Sequence, residues 1–376
     1  MGIYILTLFL VLFLWIVFNR VKFTVKGQEK LKNRRKAYVI CTGSWLFLVA
    51  ALRNYTVGAD TTTYLSRYAR LAVAEWKDIF RLADLMMFES GYVICNKLLG
   101  YVSKNPRILL VAVAFIITFL LSLYIYKESK MPWLSFYMFI SMGMFGESLS
   151  LIRQYVAVAL ILISYHAIKD NKLIEFVVII LLAATFHTSA LIVLPMFWVS
   201  KIKWNKLHFC VILGAAAYTF YIVTSPKFRF SDSLIGFLSR YTTYARYFAR
   251  LNYGSRGGAV GLLVIYFSFL LFIIFRLYKS EMEERNMYIA FALAAATLTI
   301  FSFITGISER ILPYFASMFV FSIPATIMNE QKAKIRIQYT SIICIALILY
   351  YIGIICRADS FQVIPYEIWD NTLTWY

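Results

Sequence analysis

Residues 173–200 read LIEFVVIILLAATFHTSALIVLPMFWVS, and the way this run is divided decides the fold. As a single span it has the length for a bilayer crossing, which takes about 20 apolar residues. Yet His187 stands in its middle and Pro195 follows. Divided there, the pieces 173–186 and 188–200 are each short for a full crossing, and together they read as a helical hairpin bent at His187.

Loop charge decides between the two divisions. Working outward, the apolar segments are 3–19, 37–52, 108–126, 133–147, 152–168, 173–186, 188–200, 207–224, 259–278, 286–306, 311–328 and 339–356. With the N-terminus outside, the inner loops are 20–36, 127–132, 169–172, 201–206, 279–285 and 329–338. The first holds Arg20, Lys22, Lys26, Lys30, Lys32, Arg34, Arg35 and Lys36, and each of the others holds two or three basic residues. This is the charge bias of cytoplasmic loops. A single span over 173–200 would move Lys201, Lys203 and Lys206 outside and invert everything after them. The expected fold class is therefore all-α, a polytopic transmembrane helix bundle of about 12 segments, one of them a broken hairpin at His187. Residues 1–376 read as a single membrane domain with both termini extracytoplasmic. No basic region precedes 3–18 and no small-x-small cleavage site follows, so this segment reads as an anchor.

Composition agrees. Hydrophobic residues make up 61% and charged residues 15%, against roughly 45–50% and about 25% in soluble domains. The formal charge is +19. Basic inner loops explain most of that excess, anionic lipid or phosphate binding could take part of it, and no soluble basic domain exists to engage nucleic acid. The five cysteines show no CxxC spacing and read as small core residues. Three histidines without HExxH do not make a zinc site, so no metal or cofactor is expected.

The two long outer loops, 53–107 and 225–258, carry the polar residues that topology leaves unexplained, and long ordered loops are often functional. In the first, Arg53 and Gly58 lead to Asp60, which with Thr61–Thr63 reads as a helix N-cap, and Phe88-Glu89-Ser90-Gly91-Tyr92 follows. Glu89 is either a base or sugar ligand, or a solvated acid. Arg153 opens an apolar helix after the serine-rich turn 148–150. A cation there opposes the helix dipole, and an ionisable group near membrane depth is a functional candidate. His187 is either a packed histidine or a polar group at the outer tip of a broken pair, with Thr188 and Ser189 able to cap the returning helix. Glu309 and Arg310 form a short outer turn and read equally as an interfacial ion pair. In 225–258, Arg240, Tyr244, Arg246 and Arg250 suit either a basic helix on the membrane or contacts to phosphate and sugar. Arginines gathered at one membrane face suit an anionic, lipid-linked substrate.

The array Arg53…Gly58-x-Asp60-x-x-x-Tyr64, Phe88-Glu89-x-Gly91, Arg153 opening a helix and Phe186-His187-x-Ser189-Ala190 resembles the EpsG family, Wzy-like exopolysaccharide, capsular and O-antigen polymerases. The resemblance runs over roughly 50–320. It implies a fold similar to GT-C-type membrane glycosyltransferases in the bacterial cytoplasmic membrane. It also implies metal-independent joining of undecaprenyl-pyrophosphate-linked oligosaccharides at the outer face, with a chain-length regulator as a candidate partner. On this reading Arg53, Arg153 and Arg310 bind pyrophosphate, and His187, Glu89 and Asp60 are the catalytic candidates. Arg240, Tyr244, Arg246, Arg250 and Glu309 contact substrate, and membrane lipids surround the whole. Two alternatives stand beside it: a flippase for the same lipid-linked sugars, which needs a polar path across the membrane, and a polysaccharide acyltransferase, which needs a catalytic His within reach of a cytoplasmic acyl donor.

The topology is open to a direct check. In a chain freed of its five cysteines, Lys203→Cys should stay unlabelled by a membrane-impermeant maleimide added to intact cells. Labelling from outside would overturn the hairpin.

Overall fold

The computed structural model describes residues 2–20, 28–205, 256–301, 310–356 and 361–370, with scattered positions between 208 and 221. Helices dominate: α1 (Gly2–Arg20), α2 (Gln28–Ala51), α3 (Thr61–Val73), α4 (Ile79–Met86), α5 (Ser90–Val102), α6 (Arg107–Glu128), α7 (Pro132–Ser141), α8 (Met144–Ser150), α9 (Ile152–Lys169), α10 (Leu173–Ala184) and α11 (Met196–Val199), followed by Arg256–Leu277, Arg285–Phe301, Pro313–Ala316, Phe319–Met328 and Ala333–Cys356. No named strand occurs among the described residues. Among the described residues four helices are long and apolar enough to cross a membrane: Gly2–Asn19, Arg107–Glu128, Val260–Leu277 and Ala333–Cys356. The chain is a helical membrane protein.

Helix boundaries follow local chemistry. Arg35 of α2 donates to the carbonyls of Ile125 (3.1 Å) and Ser129 (2.8 Å), so one basic residue of the expected first inner loop caps the end of α6. The expected segment 133–147 is broken at Gly143, whose φ of +85° ends α7 and starts α8. The outer turn expected at 148–151 is mostly the last turn of α8, with α9 opening at Ile152 as anticipated. The run 173–200 is a regular α-helix only in its first arm. The second arm is a 3-10 stretch, Thr188–Val193, and then the single turn α11, because Pro195 cannot donate into a regular helix. The stretch 53–107, expected as a long outer loop, is itself structured, holding α3, α4 and α5.

Two units are distinguished, Met1–Leu191 with Ile327–Tyr376, and Ile192–Thr326. In the first, α2 packs on α6, α6 and α10 on α9, α1 on α2 and α7, and α3 on α5. In the second, Arg256–Leu277 packs on Arg285–Phe301, and Tyr266 and Phe269 close on Phe319 with ring centroids 5.3 and 5.2 Å apart.

Residues 361–370 clasp the loop that leaves α2. Trp369 N donates to Leu52 O, Asn54 N to Glu367 O, Gly58 N to Gln362 O and Ala59 N to Phe361 O, all at 2.8–2.9 Å. Arg53 and Ile368 form an isolated antiparallel bridge. Gly58 has φ +102°, and a side chain there would lie 2.6 Å from Leu149 O. Arg53 is 1% exposed. Its guanidinium donates to Ala50 O and, at 3.2 Å, to Leu149 O, and burial lowers its pKa to about 10, still cationic at neutral pH. Its head group is therefore turned inward onto the backbone.

Arg53→Met should cost about 2–4 kcal/mol, since two buried carbonyls lose their donor. The check is the apparent Tm of the full chain in neutral detergent. An unchanged midpoint would mean that the guanidinium does not hold this loop.

Candidate active site

Glu89 is the meeting point of three stretches of chain. Its oxygen Oε2 accepts from Arg153 Nη1 in an ion pair. Oε1 faces His187 Nδ1 at 3.1 Å and accepts from Thr188 N at 3.2 Å. The carboxylate is thus engaged on both oxygens, and the side chains of Glu89, Arg153 and His187 are 16%, 16% and 24% exposed.

Local structure sets this up. Met87 adopts a left-handed conformation (φ 54°) that ends α4, with Met87 N donating to Asp84 O and Phe88 N to Ala83 O. Glu89 then occupies the position before α5 with extended backbone and does not cap that helix with its side chain. It caps another element instead: its carboxylate receives the N–H of Thr188, at the start of the 3-10 stretch after α10. Gly91 lets the segments come this close. A Cβ at Gly91 would fall 2.2 Å from Thr185 Oγ1 and 2.6 Å from Thr185 Cβ, and Tyr92 N donates to Thr185 O at 3.2 Å.

Arg153 lies in an aromatic enclosure. Its guanidinium carbon is 4.5 Å from the ring centroid of Phe88, 5.6 Å from that of Tyr64 and 5.8 Å from that of Tyr92. A planar guanidinium stacks on ring faces in this way, whereas an ammonium is a compact point charge. Phe88 also meets Arg67, whose guanidinium carbon is 4.7 Å from its centroid. Arg153 Nε and Tyr92 Oη are buried without a hydrogen-bond partner, so the enclosure retains unused donors.

The charge state follows from the contacts. Burial alone would raise the Glu89 carboxyl's pKa, but the His187 hydrogen bond and the Arg153 charge outweigh it and hold the group below its ordinary value. Glu89 is therefore ionised at neutral pH and can only accept. His187 Nδ1 must then carry the proton it shares with Oε1, which in the neutral ring leaves Nε2 as an acceptor.

Of the residues singled out by sequence, Glu89, Arg153 and His187 come together. Arg53 does not join them: its Nη1 and Nη2 donate to Ala50 O and Leu149 O. Asp60 stands before α3, but the capping expected of it does not occur: its backbone is helical rather than extended, and Thr61 N donates to Gly58 O. Thr188, expected to cap with its own side chain, receives its cap from Glu89. Arg310 is exposed and lies in the second unit. Arg240, Tyr244, Arg246, Arg250 and Glu309 lie outside the described residues. Sequence reasoning assigned no role to Tyr64, Phe88, Tyr92 and Arg67. The clue to two of them was the flanking of Glu89 by rings one residue before and three after, which a helix start brings to one side.

Gly91→Ala should lower the apparent Tm in detergent by a few degrees, because the added methyl drives into Thr185 at an overpacking cost of about 1–3 kcal/mol. Adding Thr185→Gly should recover most of the loss. No recovery in the double variant would mean that the Gly91–Thr185 approach does not limit stability.

With that geometry in place, comparison with known proteins bears on identity. No curated protein and no solved structure matches the chain. A family model described as EpsG family matches residues 36–368, which takes in Glu89, Arg153 and His187. The chain belongs to the EpsG family.

Proposed function

We propose that this chain is a polysaccharide polymerase, a metal-independent membrane glycosyltransferase that joins undecaprenyl-pyrophosphate-linked oligosaccharide repeat units at the outer face of the bacterial cytoplasmic membrane. Family membership supports a polymerase-like role. The observation that carries the chemistry is the single carboxylate shared by Arg153 and His187. The proposal adopts the twelve apolar segments and the inner-loop charge bias, which put all three residues on the outer side.

In this reading the residues divide the work. Glu89 fixes the His187 ring through Nδ1, so His187 Nε2 takes the proton of the acceptor sugar hydroxyl. The hydroxyl oxygen forms a bond to the donor's anomeric carbon as the bond from that carbon to the pyrophosphate oxygen breaks. The electron pair leaves with the lipid pyrophosphate, and its growing charge is met by Arg153, which needs no reorganisation because its rings and Glu89 already hold it. Glu89, engaged on both oxygens, is a positioning residue rather than the base. Arg67, across the Phe88 ring, is a second cation for the same leaving group. Two lipid-anchored substrates confined to one membrane face supply proximity.

Arg153→Lys keeps the charge and loses the planar fork, and should reduce polymerisation about 100-fold or more. The measurement is polymer length on a gel from a deletion strain carrying the variant, with protein level checked by immunoblot. Surface repeats of one unit should persist. Unchanged long polymer from well-expressed variant protein sinks the assignment, and loss of all surface units favours the flippase.

A further inference from the structure

Away from Glu89, one lysine is buried without an acid. Lys97 on α5 is 6% exposed, and its Nζ donates to Ala74 O (2.6 Å) and Ala72 O (3.3 Å). Lys104 Nζ donates to the same Ala72 O at 2.8 Å. Both ammonium groups therefore converge on the end of α3. A cation at a helix C-terminus is favourable, but a second one on the same oxygen brings like charges together. The carboxylate nearest in sequence to the end of α3, Glu75, pairs with Lys77 at 2.7 Å. Among the described residues neither Lys97 nor Lys104 has a salt-bridge partner. An ammonium has three donors, so Lys97 keeps one unspent and Lys104 two.

The surroundings indicate what would neutralise this pair. Both ammonium nitrogens lie over the Tyr101 ring, at 5.2 and 5.9 Å from its centroid, and Trp76 Nε1 donates to Tyr101 Oη at 2.7 Å. Trp76 and Tyr101 are 46% and 64% exposed, and Val73, Leu98 and Val102 are exposed with them. The membrane-long helix α6 starts at Arg107, after only the short turn 103–106. These side chains thus stand where α6 would enter the bilayer, and amphipathic rings are favoured at that level.

We propose that Lys97 and Lys104, flanked by Tyr101 and Trp76, bind the phosphate of an anionic membrane phospholipid. The unspent ammonium donors take the phosphate oxygens, and Val73, Leu98 and Val102 lie against the first part of the acyl chains. The site is separate from the Glu89 cluster, and the proposal stands whether or not the chain is a polymerase.

The test is a thermal shift of the purified full chain in neutral detergent, titrated with phosphatidylglycerol, phosphatidylcholine or inorganic phosphate. Phosphatidylglycerol should raise the Tm of the natural protein more than phosphatidylcholine does, and Lys104→Gln should lose about half or more of that rise. Lys104 is exposed, so this variant should fold. Lys97→Gln should lose at least as much, and Arg81→Gln, which removes one charge from an exposed position on α4, should keep the full shift. Equal shifts with phosphatidylcholine overturn the proposal, as does a full shift in Lys104→Gln. An equal rise with inorganic phosphate assigns the site to free phosphate and overturns the lipid.

Discussion

A buried carboxylate is costly unless its lone pairs are matched by donors. Glu89 meets that condition only by drawing in Arg153 from α9 and His187 with Thr188 from the turn after α10. Any one of these partners alone would leave the acid short of donors or a cation enclosed by three rings without its counter-charge. The dependence is mutual, so the cluster favours one arrangement of the three segments over alternatives. Each segment is also prepared locally, by the left-handed Met87 before Glu89, by Gly91 against Thr185, and by the rings beside Arg153.

The same economy appears at the loop after α2. Leu149 O, near the end of α8, accepts from Arg53 and lies within reach of Thr61 Oγ1, while Gly58 packs against it. One backbone carbonyl thereby relates the loop that leads into α3, and so to Tyr64, with the segment that leads into α9, and so to Arg153. Arg53 and Arg153 share a residue type and a predicted face, yet one is a strut for the backbone and the other pairs with an acid inside an aromatic enclosure. Their difference lies in what surrounds them, which no spacing in the chain reports.

That contrast marks what the sequence could disclose. Apolar runs carried the helical membrane class, and α1, α6 and α9 begin and end within two residues of the expected limits because hydropathy is a local property, whereas α2 starts nine residues before its apolar run, within the basic stretch that precedes it. Glu89, Arg153 and His187 stood out because each is a polar group where an apolar chain has little reason to put one. The enclosure of Tyr64, Phe88 and Tyr92 was hidden among many aromatic residues, since its meaning lies in convergence on one guanidinium. Asp60 had the residue type of a cap without the backbone conformation. The second arm of 173–200 had the hydropathy of a helix, but proline and a borrowed cap make it a tight 3-10 stretch.

The clasp made by residues 361–370 has a bearing on how the protein is made. The N–H groups of Asn54, Gly58 and Ala59 and the carbonyl of Leu52 find their partners in residues 361–370, which are translated long after them. Until that stretch has been made, this loop can only be hydrated or wrongly paired. The loop after α2 therefore reaches its final form only once residues 361–370 have emerged, so a chain cut short before them carries Glu89, Arg153 and His187 without the fastening that sets α3 in place.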